Sequence, residues 1–125
     1  MTELEFKKRT KEIALRIIKL VDSLPPASSA QIIGKQLLRS GTSVGANYRA
    51  ACRAKSTADL IHKLSIVEEE ADECLYWLEL LNDSGIVAEK KLSKLYSDVN
   101  EILAMTVSSI KTMRARRFAN PKSKI

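Results

Sequence analysis

Proline is nearly missing from this chain. It occurs three times in 125 residues, as Pro25-Pro26 and Pro121, and glycine only four times. Long stretches therefore carry no helix breaker, which excludes a fold built from many short strands and turns. Two cysteines, Cys52 and Cys74, stand without paired spacing, so there is no disulfide framework and no cysteine zinc motif. They read as small core residues of a protein in a reducing cytoplasm, and no secretory apolar stretch precedes the first charged turn. Uncharged runs such as 40–48 are too short and too polar to span a bilayer, so no membrane partner is expected.

What remains is a chain 45% hydrophobic, enough to bury one core without metal or disulfide. Helix starts are marked by capping boxes, in which a Ser or Thr hydroxyl accepts from the N3 amide and the N3 side chain returns to the N-cap amide. Thr2 with Glu5, Ser28 with Gln31 and Ser56 with Asp59 fit this pattern. Ser84-Gly85 permits a left-handed cap that ends one helix before Ile86 opens the next. Four helices are predicted, at 3–24, 29–54, 57–82 and 86–117.

Apolar and small residues recur in steps of four and three at Leu60, Leu64, Val67, Ala71, Cys74, Leu78 and Leu81, and at Leu92, Leu95, Val99, Ile102, Thr106 and Ser109. The first helix shows Phe6, Ile13, Ile17, Leu20 and Leu24. Such stripes are bundle seams, and short connections make neighbours antiparallel. The predicted fold is all-α, an up-down-up-down four-helix bundle over 1–118, with a basic tail at 119–125. The second helix is the odd member, because Gly41 and Gly45 each cost about 1 kcal/mol relative to Ala in a helix. A close helix approach over Gly41-x-x-x-Gly45 would offset that, and Ser40, Ser43 and Asn47 would form a buried polar network fixing register.

Net charge is +6, and its distribution says more than its sum. The stretch 25–55 carries five basic and no acidic residues, whereas 56–85 carries one basic and eight acidic. Projected at 100° per residue, Lys35, Arg39, Arg49 and Arg53 fall within about 80° of one another, opposite Leu37 and Val44, as one basic stripe. Arg114, Arg116 and Arg117, with Lys111, Lys122 and Lys124, add a basic end that also complements a helix dipole. On the third helix Ile66, Trp77 and Leu80 point away from the seam. A helix with two apolar faces needs two partners, so these three are predicted to form a subunit interface.

Catalytic chemistry is not apparent. Asp59-x-x-His62 has the spacing of one metal-ligand pair, but His62 is the only histidine and a di-metal bundle needs a second such pair. No serine or cysteine has a base partner in sequence, and Gly41 and Gly45 lie inside a helix, where no phosphate loop forms. A non-enzyme with neither metal nor cofactor is expected.

At Leu37-Leu-Arg-Ser-Gly-Thr-Ser-Val-Gly-Ala-Asn47, then Ala58-Asp-Leu-Ile-His-Lys-Leu-Ser-Ile-Val-Glu-Glu-Glu-Ala-Asp72 and Leu78-Glu-Leu-Leu81, the chain resembles the 23S ribosomal RNA intervening-sequence protein family. The resemblance implies an antiparallel bundle assembled as a ring, usually a homopentamer, and a bacterial protein. A related group serves as accessory factor to reverse transcriptases in retroelements, which suggests nucleic-acid binding by a basic outer surface. One departure is Ala50, where the family commonly has Glu.

The expected function is that of a cytoplasmic homo-oligomer whose basic stripes hold RNA or DNA backbone without reading sequence, with a possible enzyme partner such as a reverse transcriptase. Lys35, Arg39, Arg49 and Arg53 are the expected contacts, backed by Arg114, Arg116 and Arg117. The alternative is an interaction scaffold in which the basic second helix docks on the acidic third helix of the next subunit. A continuous positive band would favour the first; Arg39 and Arg53 buried against Glu68, Asp72 or Glu79 would favour the second.

Overall fold

The computed structural model describes residues 1–119, and within them the chain forms four helices: α1 Glu3–Asp22, α2 Ser28–Ala51, α3 Thr57–Asp83 and α4 Glu89–Ala119. The expected tail beyond, with Lys122 and Lys124, lies outside the described residues. Each helix packs on its sequence neighbour and α4 closes on α1, the thinnest of the four seams. No described helix is long and apolar enough to cross a membrane. The fold is an all-α four-helix bundle.

Local chemistry sets the helix ends. Thr2 and Glu5 form both halves of a capping box, Thr2 Oγ1 accepting from the Glu5 amide at 3.1 Å. Ser56 Oγ accepts from the Asp59 amide at 3.0 Å, but the shorter Asp59 carboxylate turns back to the Lys55 amide at 3.1 Å instead of the cap's own. The Ser28 box does not form: α2 starts one residue early, Ala27 is its N-cap without a side-chain bond, and Gln31 Nε2 donates to the Pro25 carbonyl at 3.1 Å. Further ends differ from expectation, and α2 stops at Ala51, three residues short. α1 stops at Asp22, since Pro25 disfavours a helical Leu24. α4 begins three residues late, because buried Val87 is held by its amide donating to the Leu81 carbonyl at 3.0 Å beyond Gly85, whose φ is 79°.

The core runs through all four helices, with Ile17, Leu37, Leu78, Leu81 and Ile102 fully buried; each such side chain contributes about 1.5–3 kcal/mol of burial. A separate cluster of Ala51, Ile61, Leu64 and Ile110 fills one end. α1 lies directly on the glycines of α2. A Cβ at Gly41 would sit 2.4 Å from Ile17 Cδ1, and one at Gly45 would sit 3.0 Å from Thr10 Oγ1. Ser40 and Asn47 do not bond one another. Ser40, Ser43 and Asn47 donate to the carbonyls of Leu37, Arg39 and Ser43 in their own helix. A hydroxyl or amide on a helix finds the carbonyl one turn back before it can reach a neighbour.

Trp77 is half-buried against the core, its indole Nε1 donating to Glu73 Oε1 at 3.1 Å and its ring edge-on to Tyr76. Ile66 and Leu80 are likewise half-buried. Next to Trp77, Tyr76 is 53% exposed on α3, and the two most exposed large apolar side chains are Leu4 at 77% on α1 and Ile32 at 64% on α2.

Candidate nucleic-acid interface

Of the four predicted stripe residues, Arg49 and Arg53 line one recess, while Arg39 turns away from them. Arg39 reaches across to α3, where it donates to Glu70 Oε2 at 3.0 Å and to Glu73. Its guanidinium raises its own pKa by that bond, and Glu73, held by Arg39 first and by Trp77, falls below the usual carboxylate range. Arg39 is therefore neutralised inside its own chain. Lys35 is exposed, and Arg53 lies past the end of α2 and is exposed too, not buried against α3 acids.

Arg49 belongs to a different surface. α1 and α2 enclose a groove of about 620 Å³, lined by Lys7, Lys8 and Lys11 on one bank and Arg49 on the other. The rest of its lining is Leu4, Thr10, Ala14, Thr42, Gly45 and Ala46. The same small residues that admit α1 to α2 keep this trench open. A second recess of about 520 Å³ is lined by Ala46, Arg49, Ala50, Arg53 and, from α3, Lys63. Ala46 and Arg49 line both, and no carboxylate lines either.

Ion pairing shows which of these charges is free. Lys7 has Glu3 at 3.5 Å and Lys63 has Asp59 at 3.0 Å. Among the described residues Lys8, Lys11, Arg49 and Arg53 form no ion pair. Arg49 also sits in the last turn of α2, and Arg116 and Arg117 in that of α4, where cations complement the helix dipole. Arg114, Arg116 and Arg117 are exposed. They follow Met113, which shares one hollow with Glu3, Ala51 and Leu60 from the other three helices. One end of the bundle thus collects the basic C-terminal ends of α2 and α4 beside the acidic first turn of α1.

The sequence pattern does not single out Lys7, Lys8, Lys11 or Lys63. A signal exists: Lys7, Lys8 and Lys11 cluster within about one turn of α1. It is masked by Glu3, Glu5 and Glu12, which make the segment look balanced until the helix is placed against α2.

Other reactive groups are spoken for. Asp59 is held below its ordinary pKa by the Lys55 amide and Lys63, so the carboxylate of the Asp59-x-x-His62 pair is already engaged. Cys74 is buried and its thiol is pushed up to about 12, by burial first and then by Glu70 and Glu73. Burial raises the Cys52 thiol as well, with Glu3 adding to it. Neither is a ready thiolate nucleophile.

Residues 2–108 match the 23S rRNA-intervening sequence protein family. No curated protein shows significant similarity to the chain. Among solved structures, a protein with unknown function from the S23 ribosomal protein family of Bacteroides thetaiotaomicron VPI-5482 is 40% identical, aligned over 89% of this chain and 99% of that one with a TM-score of 0.82. With the glycine-backed α1/α2 pairing and the matched span covering most of the bundle, the chain belongs to the 23S rRNA-intervening sequence protein family.

Proposed function

We propose that this protein is a non-enzymatic bundle subunit that holds nucleic-acid backbone in the cationic trench between α1 and α2, without reading base sequence. The observation that carries this is the convergence of Lys7, Lys8, Lys11 and Arg49 on a concavity lined by no acid. Phosphate contacts need only positive charge at loose spacing, and they bring affinity through released counterions. Base stacking is not on offer there, because no aromatic side chain lines the trench: Phe6 and Tyr48 stack on each other inside, and Tyr96 donates to Glu79. Backbone contacts of this kind suit RNA and DNA alike, and an RNA duplex serves as the probe.

The setting that fits is a cytoplasmic homo-oligomer, with a pentamer as the working number and an enzyme such as a reverse transcriptase as a possible client. Exposed Leu15, Ile32 and Tyr76 supply apolar surface for assembly beside the half-buried Ile66, Trp77 and Leu80. Repeated trenches would multiply weak contacts.

The test is binding of a fluorescently labelled RNA duplex to the wild type and to a Lys8→Gln, Lys11→Gln, Arg49→Gln variant. Loss of about tenfold or more in affinity is expected from removing three cations that face phosphate. Equal affinity of the two proteins would overturn the assignment.

One observation favours a second reading, the scaffold. α3 presents Glu69, Asp72, Glu79 and Asp83 outward around exposed Tyr76, a surface complementary to the trench of another copy. In that case the oligomer dissociates with salt and RNA does not bind.

A further inference from the structure

Ala50 stands in the middle of a group of cations. The residue is exposed and lines the recess between Arg49, Arg53 and Lys63. Two of these cations, Arg49 and Arg53, have no ion-pair partner among the described residues. The third, Lys63, is steadied by Asp59, whose carboxylate also accepts from the Lys55 amide. A carboxylate at position 50 would stand three residues before Arg53, where a helical ion pair forms, and would cut the positive charge of the group. Alanine leaves the recess without an acid.

The recess also continues the trench. Ala46 and Arg49 belong to both, and Ala46 and Ala50, one turn apart on α2, form a low saddle between them. We propose that the bound strand does not run along α2 but crosses it over Ala46 and Ala50, with Arg49, Arg53 and Lys63 seating a backbone phosphate on the α3 side. This rests on the polyanion reading above and adds a path and the residue that leaves it open. Ala50 keeps the seat open, and the strand enters from Lys8 and Lys11 on α1 and leaves past Lys63 on α3. Arg49 is the hinge of the path, since it faces both hollows.

The experiment uses the full chain and a short RNA duplex with 5′-hydroxyl ends, read by fluorescence anisotropy, with helix content followed by circular dichroism. Ala50→Glu, Ala50→Gln and Arg53→Gln are compared with the wild type. Ala50 is exposed on α2 and Glu is a good helix former, so the fold is expected to hold. Ala50→Glu is expected to weaken binding about tenfold, Ala50→Gln clearly less, and Arg53→Gln a few-fold, with the salt slope of Ala50→Glu reduced by about 1, the value for one phosphate. The gap between the Glu and Gln variants isolates charge from bulk. If Ala50→Glu and Arg53→Gln bind like wild type while Lys8→Gln, Lys11→Gln loses affinity, the crossing is wrong and the trench reading stands. If Ala50→Glu matters only for a duplex bearing 5′-phosphates, the seat takes a strand end and the crossing is again wrong. If the wild type binds no RNA, both fall together.

Discussion

Arg16 on α1 donates to Asp98 on α4 across 2.6 Å. It does so at the thinnest seam of the bundle, and Arg9 pairs with Glu101 further along the same seam. Polar pairs therefore close the bundle where apolar packing is sparse.

Acid is expected to loosen that closure. Burial alone would raise the Asp98 pKa, but hydrogen bonds from Arg16 and Lys94 outweigh it and hold the group below its ordinary value; Arg9 does the same for Glu101. A carboxylate depressed in the folded state contributes its full stability above the unfolded pKa, about 4, and loses it as pH falls through the folded value. Urea unfolding should thus give a flat stability from neutral pH to about 5 and a decline below about 4. Asp98→Asn is expected to cost about 1 kcal/mol at neutral pH and to shrink that acid limb. Parallel acid limbs for the two proteins would refute it.

Gly41→Ala tests the glycine-backed approach of α1. The new methyl would lie 2.4 Å from Ile17 Cδ1 and 3.1 Å from its Cγ2. Overpacking costs about 1–3 kcal/mol, against about 1 kcal/mol gained in helix propensity. The net expectation is a loss, seen as a Tm lower by several degrees. Gly45→Ala meets only Thr10, with its nearest atom at 3.0 Å, and should be close to neutral. A stabilised Gly41→Ala would mean the helices are further apart than described.

Two terminal substitutions separate capping from packing. Ser56→Ala removes the hydroxyl that accepts from the Asp59 amide and is expected to cost about 1 kcal/mol. Gly85→Ala meets no atom within 4 Å but must adopt φ 79°, which costs about 1 kcal/mol through backbone strain alone. Chemical denaturation reads both.

Arg39 and Arg49, ten residues apart in one predicted stripe, should behave differently. Arg39→Gln frees Glu70 and Glu73 and is expected to change RNA affinity less than twofold, because that guanidinium is already paired. Arg49→Gln removes an unpaired cation shared by both hollows and should cost several-fold. Direct titration of each single variant decides it.

The contrast shows how much is legible in the residues alone. Seam spacing places Leu37, Leu64, Val67, Leu78 and Ile102 in the core, since burial follows helical periodicity whatever the neighbours are. Gly41 and Gly45 announce a close approach, but not that Ile17 and Thr10 supply it. Angular projection places Arg39 with Arg49 because it treats a helix as isolated. Which cations remain free depends on the acids a neighbouring helix brings, and α3 brings Glu70 and Glu73 to Arg39 alone. Lys8 and Lys11 become part of a site only when α1 is set against the small residues of α2.

The salt dependence of RNA affinity tests the central claim most directly. For the wild type and a variant carrying Lys7→Gln, Lys8→Gln, Lys11→Gln and Arg49→Gln, the logarithm of the affinity is plotted against that of salt concentration. If the trench holds backbone phosphates, the variant line is shallower by up to about 3.6 units, near 0.9 for each of four phosphates no longer neutralised. Two parallel lines would show that the trench between α1 and α2 does not touch the nucleic acid.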